Sequence, residues 1–313
     1  MADAWREISI AEEKISISVV IPCYNLSEYV ATAIESALTQ SFPAVDVVVV
    51  DNGSEDDSAR VIGQYNGRVK IVNIRPNKGV SVARNQGAAI ATGNWYLFLD
   101  ADDYLNNGAL EALSKTVLKG GGGGVVFGGI TQYDIERKEY SRRDSPDSAG
   151  RPPHPAVRGF WRSAIGTPGA AMVHCSVHDA IGGFEKPWQP TEDRDYWMKC
   201  GVTTSFEYCD YSVLMKLRRP ESMRVYSRWA PLWGMRVQLE FLVWCKERRI
   251  QTDFSGVSKM NIVNHAITRA VNNGDEDIID QIMQYCHDYG INNFELRKKV
   301  LMARIRKYLR RKE

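Results

Sequence analysis

The sequence predicts an α/β protein, a Rossmann-like, mostly parallel sheet flanked by helices and followed by a C-terminal helical region. Three observations predict it. Short β-branched runs alternate with amphipathic segments up to about residue 118, and repeated strand–helix units imply right-handed crossovers and a parallel sheet. Polar clusters directly follow three of the apolar runs. From about Tyr226 the pattern turns almost wholly helical.

The elements follow in order. "ISISVVI" (15–21) is β-branched and stops at Pro22, as a buried strand would. "LSEYVATAIESALTQ" (26–40) places Tyr29, Val30, Ala33, Ile34, Ala37 and Leu38 at helical spacing. "VDVVVV" (45–50) predicts a strand, and "EDDSARVIGQY" (55–65) a helix with acids in its first turn. "VKIVNI" (69–74) and "WYLFL" (95–99) predict strands; "GVSVARNQGAAIA" (79–91) and "GALEALSKTVL" (108–118) predict helices. "KGGGGGVVFGGI" (119–130) reads as a flexible link into another strand. The charged, Pro- and Ser-rich stretch 136–155 reads as a mobile surface loop. "GAAMVH" (169–174) predicts a short strand, "TEDRDYWMKCG" (191–201) a helix, and the remainder about four helical segments.

Composition narrows the function classes. With 313 residues, 44% of them hydrophobic, the chain can bury a sizeable core. A net charge of +2 excludes a generally polybasic nucleic-acid binder, although residues 296–313 carry +8 and leave −6 on the rest. The opening "MADAWREISIAEEK" does not read as a signal peptide, and no apolar run reaches membrane-spanning length. The six scattered cysteines fit reduced thiols. A cytoplasmic protein is therefore expected. Leu301, Ile305, Tyr308 and Leu309 recur at helical spacing among basic residues, so the tail could rest peripherally on the anionic inner face of a membrane.

The clusters "CYN" (23–25), "DNGSEDD" (51–57) and "DADD" (100–103) each directly follow an apolar strand. In an open parallel sheet, ligands bind outside such carboxyl ends, so the three can converge on one crevice. Carboxylates at Asp100, Asp102 and Asp103 repel one another and need a positive partner; oxygen donors suit Mg²⁺ or Mn²⁺. The structural alternative is that the clusters only form turns and helix caps. His174 and His178 stand four apart, but no third ligand completes a zinc set.

"VVIPCYNLSEYVATAIESALTQSF", "VVVVDNGSEDDS", "NKGVSVARNQGAAIATGNWYLFLDADD", "GGFE" and "TEDRDYW" occur in this order and together closely resemble family 2 glycosyltransferases of the GT-A fold. The resemblance covers about residues 15–225, which sets a catalytic domain at 1–225 and a helical region with a basic tail at 226–313. It implies an inverting enzyme using a nucleotide-sugar donor and Mn²⁺ or Mg²⁺. Tyr24 then packs on the base, and Asp51 and Asn52 form the donor-binding pair. Asn52 stands where the family usually has Asp, which an amide accommodates with UDP- or dTDP-linked donors. Arg84 and Asp100 join the donor site, Asp102 is the metal ligand, and Asp193 is the general base. Trp197 is a candidate acceptor contact. Arg219 stands where relatives carry a His near the metal; Arg ligates no cation, so a diphosphate contact and weaker metal dependence are expected. The acceptor would be a saccharide or lipid-linked saccharide, as in surface polysaccharide synthesis. Two alternatives compete: a sugar nucleotidyltransferase, which should carry a Gly-rich, Arg-containing loop where "PCYN" stands, and an inactive nucleotide-sugar-binding assembly subunit, which should have lost acids that are present here.

Overall fold

The computed structural model describes residues 7–10, 13–152, 165–185, 191–218, 220–250, 259–273, 275–291, 298, 300 and 301, the side chains of 220–228 excepted. The chain divides into two compact units, Met1–Arg219 and Pro220–Glu313.

The first unit is built on a nine-stranded sheet. Strands β1 (Ile17–Cys23), β2 (Asp46–Asp51), β3 (Lys70–Asn73) and β4 (Trp95–Phe98) run parallel in the order β3-β2-β1-β4. Between them lie α1 (Val30–Leu38), α2 (Ser58–Gly63) and α3 (Val80–Ile90). β1 and the Val47–Val50 run are buried throughout, which is why they read as unbroken apolar runs. Helix α3 approaches the sheet closely at Gly87, where a Cβ would fall 2.3 Å from Val20 Cγ1.

Beyond β4 the sheet is mixed. After β5 (Tyr104–Leu105) and α4 (Ala109–Lys119) come β6 (Val125–Asp134), β7 (Glu139–Arg143), β8 (Ala171–His174), α5 (Cys175–Ile181), α6 (Glu192–Thr203) and β9 (Phe206–Arg218). β8 is antiparallel to both β4 and β6, β9 runs parallel to β6, and β5 and β7 pair antiparallel with β9 and β6.

Three sequence expectations change here. The stretch 136–155 contains the edge strand β7, exposed along its whole length. A strand with water on both faces shows no apolar alternation, and edge strands favour charge. The glycine run is not a loose link: Gly121 and Gly123 donate their N–H groups to Glu207 Oε1 at 3.0 and 2.9 Å. Strand β9, thirteen residues long, gave no sequence signal because Glu207, Tyr208, Asp210, Tyr211 and Ser212 interrupt its apolar positions.

The second unit contains α7 (Pro220–Glu247), α8 (Lys259–Asn273) and α9 (Glu276–Asp288), which pack on one another. Tyr285 and Tyr289 both donate to Glu240 Oε1, tying α9 to α7. The helical region begins at Pro220, six residues before the expected Tyr226; proline favours a first helical turn. Of the basic tail only Lys298, Val300 and Leu301 are described, each helical. No helix among the described residues is long and apolar enough to cross a membrane.

Candidate active site

The ends of β1, β2 and β4 lie side by side, with Cys23 paired to Asp51 and Leu99 N–H donating to Val20 O at 2.9 Å. This brings "CYN", "DNGSEDD" and "DADD" to one edge of the first unit.

The first two clusters are laced together by neutral donors. Asn25 N–H donates to Ser54 Oγ, Leu26 N–H to Ser58 Oγ, Ser27 N–H to Asp56 Oδ2, and Glu55 N–H to Asn25 Oδ1, all within 3.1 Å. Desolvation works against the charge of Asp56, but hydrogen bonds from Ser58 and Ser27 outweigh it and hold the pKa down at about 2. The turn after Asp51 needs Gly53, whose φ is +80° and whose Cβ would crowd Asn77 N at 2.7 Å. The acidic tail of this motif is thus a turn and helix start, whereas its first two residues face inward.

Asp51 is 1% exposed; Oδ1 accepts from Ser54 N–H at 3.0 Å and Oδ2 has no partner among the described residues. A buried carboxylate oxygen without a donor is costly, so this atom fits a ligand N–H. Asn52 behaves differently from the expectation. Its Nδ2 donates to Asn77 Oδ1 at 2.9 Å and its Oδ1 accepts from Lys78 N–H at 3.1 Å, with 3% exposure. The amide braces the 77–79 turn rather than presenting itself to a base. Tyr24, 41% exposed at the end of β1, is placed where a planar ring could stack on it.

The third cluster is held by charge. Arg84, on α3 and 3% exposed, donates from Nη2 to Asp100 Oδ1 at 2.7 Å and from Nη1 to Glu192 Oε1 at 3.0 Å. Its guanidinium lies 5.0 Å over the Phe184 ring. Burial opposes its charge, but Asp100 and Glu192 raise its pKa above the ordinary value. Burial would likewise raise Asp100, and Arg84 and Lys216 hold it below the usual carboxylate range. Thr167 Oγ1 reaches the other Asp100 oxygen at 3.4 Å. Lys216 on β9 lies 3.3 Å from Asp103 Oδ2, and Leu217 N–H donates to Asp103 Oδ1. Burial nevertheless pushes Asp103 up to about 7, against the attraction of Lys216. Two side-chain cations, on α3 and β9, therefore answer the repulsion among the three aspartates.

Asp193 stands in the first turn of α6, next to the Glu192 that Arg84 holds. Burial and the Glu192 charge push its pKa up to about 7, against Arg84 and the Arg194 N–H that donates to it. A carboxylate so poised accepts a proton near neutral pH. Asn85 holds the Gly183–Phe184 turn, accepting from Phe184 N–H at 2.9 Å and donating to Phe184 O at 2.8 Å. "ARN" and "GGF" therefore form one structural unit that presents Arg84. Phe184 in turn stacks on Tyr196 at 3.9 Å.

One candidate falls elsewhere, and one is outside the described residues. Trp197 is 1% exposed and packs edge-on against Tyr196 and Phe206 in the core. One helical turn after the site, its position faces the sheet instead. Arg219 lies outside the described residues. The histidines have local partners: His174 bonds Ser176 and Glu13, and His178 bonds the Tyr196 hydroxyl. Sequence reasoning missed the roles of Asn85, Phe184, Glu192 and Lys216. The first three sit inside the quoted motifs; Lys216 lies on the strand without a signal.

No group of three or more metal-ligating side chains occurs among the described residues. Asp100 is tied to Arg84 and Asp103 to Lys216; Asp102, the position the family resemblance points to, is the residue that could hold an ion. Mg²⁺ is commonly held by one or two carboxylates plus substrate phosphates, and the site fits an ion of that kind rather than a protein-made cage.

The description "Glycosyl transferase family 2" matches residues 18–182, just over half of the chain. An uncharacterized glycosyltransferase of Escherichia coli K12, YibD, is 35% identical over 105 residues, 33% of this chain and 30% of YibD. Chondroitin synthase of Pasteurella multocida is 36% identical over 106 residues, 33% of this chain and 11% of the synthase. Each match thus spans less than half of the relative. The crystal structure of S. aureus TarS 1–349 in complex with UDP superposes with a TM-score of 0.56 at 18% identity, covering 85% of this chain and 83% of that one, which shows a shared GT-A fold. The chain belongs to glycosyltransferase family 2.

Proposed function

We propose that the chain is an inverting glycosyltransferase that moves a sugar from a UDP- or dTDP-linked donor to a saccharide or lipid-linked saccharide acceptor, as in surface polysaccharide synthesis. The observation that carries the reading is the Arg84 bridge. One buried guanidinium joins Asp100, at the end of β4, to Glu192, beside Asp193, and so ties a donor-side acid to a base-competent carboxylate.

The chemistry follows from that pairing. Asp193 takes the proton of an acceptor hydroxyl as its oxygen bonds the anomeric carbon. The carbon–oxygen bond to the diphosphate breaks on the opposite face, and the configuration inverts. Asp51 Oδ2 accepts the ring N–H of a pyrimidine, and Tyr24 covers the base. Arg84 keeps Asp100 ionised and fixed in place. A Mn²⁺ or Mg²⁺ held by Asp102 would offset the charge growing on the leaving diphosphate.

Relatives support both classes: chondroitin synthase, a polysaccharide synthase, supports the acceptor, and TarS, crystallised with UDP and with UDP-GlcNAc, supports the donor. The basic segment 296–313 extends the reading to a peripheral contact with anionic lipid. The test is a panel of UDP-, dTDP-, GDP- and ADP-sugars with Mn²⁺, followed by thermal shift and by sugar release. Stabilisation by UDP- or dTDP-sugars together with slow release of the sugar is expected. Stabilisation without release by any member, with or without saccharide acceptors, would favour a binding subunit instead.

A further inference from the structure

We propose that Lys216 is a diphosphate-binding residue of the donor site, an inference that rests on the nucleotide-donor reading above. Lys216 extends from β9, the strand that runs beside the acidic loop: Met215 pairs with Tyr104, and Leu217 N–H donates to Asp103. Its ammonium faces the three aspartates at the end of β4, and its side chain is 34% exposed, so it also reaches solvent in the crevice.

Charge shows why this cation matters. Asp100, Asp102, Asp103, Glu192 and Asp193 gather at this edge, where Arg84 pairs with Asp100 and Glu192 and Lys216 with Asp103. A diphosphate entering so acidic a crevice is repelled unless a cation meets it. Arg84 is 3% exposed, its Nη1 and Nη2 are bound to Glu192 and Asp100, and its guanidinium lies over the Phe184 ring. It has little left to offer a ligand. Lys216 makes one hydrogen bond to a described residue, to Asp103 at 3.3 Å. That is longer than the ~2.7–2.9 Å of a well-formed charge-assisted bond. An ammonium carries three donors, so Lys216 can keep Asp103 and still bond phosphate oxygens.

The test is calorimetric titration of uridine, UDP and dTDP in Mn²⁺, with wild type, Lys216→Met and the double variant Asp103→Asn/Lys216→Met. The double variant preserves net charge and leaves no unpaired buried carboxylate, which separates ligand contact from folding. Both variants should bind the diphosphates about tenfold or more weakly, the low end for loss of a charge-assisted hydrogen bond. Uridine should bind all three proteins alike. Wild-type affinity for UDP in the double variant would overturn the proposal, because Lys216 would then serve only Asp103. Equal losses for uridine and UDP would also overturn it. If wild type binds neither diphosphate, the pyrimidine-donor reading itself falls and this inference with it. If wild type binds them and Lys216→Met is unchanged, only the inference falls.

Discussion

The acids at the end of β2 and those at the end of β4 face the same crevice but are held in opposite ways. Asp51 and Asp56 rest on neutral donors, the N–H groups of Ser54, Ser27 and Ser58. Asp100 and Asp103 rest on the cations Arg84, 16 residues away on another element, and Lys216, 113 residues away. A carboxylate held by its own turn is settled locally. One held by a remote cation depends on the whole unit having folded. The first arrangement leaves an oxygen ready for a neutral ligand N–H, and the second suits a ligand that brings charge.

Removing the cation at the second cluster should have the largest effect. Arg84→Met strands Asp100 and Glu192 together, and breaking a buried ion pair costs about 3–5 kcal/mol. Chemical denaturation should show that loss, and transfer should vanish with it. A stability within ~1 kcal/mol of wild type, the range of an exposed pair, would mean the two clusters are held alike.

Asp102→Asn comes next. Changing an outer partner of a metal site typically costs about 10–100-fold in affinity, and a ligand at least as much. Nucleoside-diphosphate binding in Mn²⁺ should therefore drop by about tenfold or more, while wild type and variant converge in EDTA. Equal binding of both in Mn²⁺ would remove Asp102 from the metal.

Titration sharpens the contrast. The folded state raises Asp193 from 3.8 to about 7, so it holds a proton that the unfolded chain releases. Its contribution to stability therefore falls as pH rises through that window. Asp193→Asn should flatten this part of the stability profile. Asp56 is shifted the other way, down to about 2; its contribution is present above 3.8 and is lost as pH falls toward 2. An unchanged profile in Asp193→Asn would show that burial does not raise this group.

The smallest effect belongs to the neutral cluster. Asp51→Asn keeps an acceptor for Ser54 N–H and turns a charged bond to the base into a neutral one. The difference is about 1 kcal/mol, or roughly fivefold in UDP affinity, read by calorimetry. A loss as large as that of Asp102→Asn would put Asp51 with the charge-held group.

The same contrast marks what the sequence made legible. β1, β2 and β4 are buried almost throughout, so their apolar runs mark them directly, and the local turns of this half carry their own Gly, Asn and Ser signals. Asp51, Asp100 and Asp102 could be singled out because they follow such runs, and Asp193 because "TEDRDYW" resembles the family's motif. Lys216 could not, because its strand is half polar and its partner Asp103 is 113 residues away. Asn52 and Trp197 were readable as residues but not as orientations: the Asn77–Lys78 turn that engages Asn52 and the Phe206 ring beside Trp197 arrive from elsewhere in the chain. β7 hid behind its charge because an edge strand needs no apolar face.

The most direct test of the central claim, that the Arg84 bridge brings a base to the donor site, is a paired measurement on Asp193→Asn. Donor affinity is measured by calorimetry, and turnover is followed from pH 5 to 9 with the sugar nucleotide that the panel selects. Wild-type kcat/KM should rise with pH and level off above about 7, since Asp193 works deprotonated and its pKa is raised to about 7. The variant should bind donor as wild type does, lose at least about 10²-fold in turnover, the low end for a general base, and lack that rise. A collapse of donor affinity together with turnover, or turnover retained in the variant, would contradict the account.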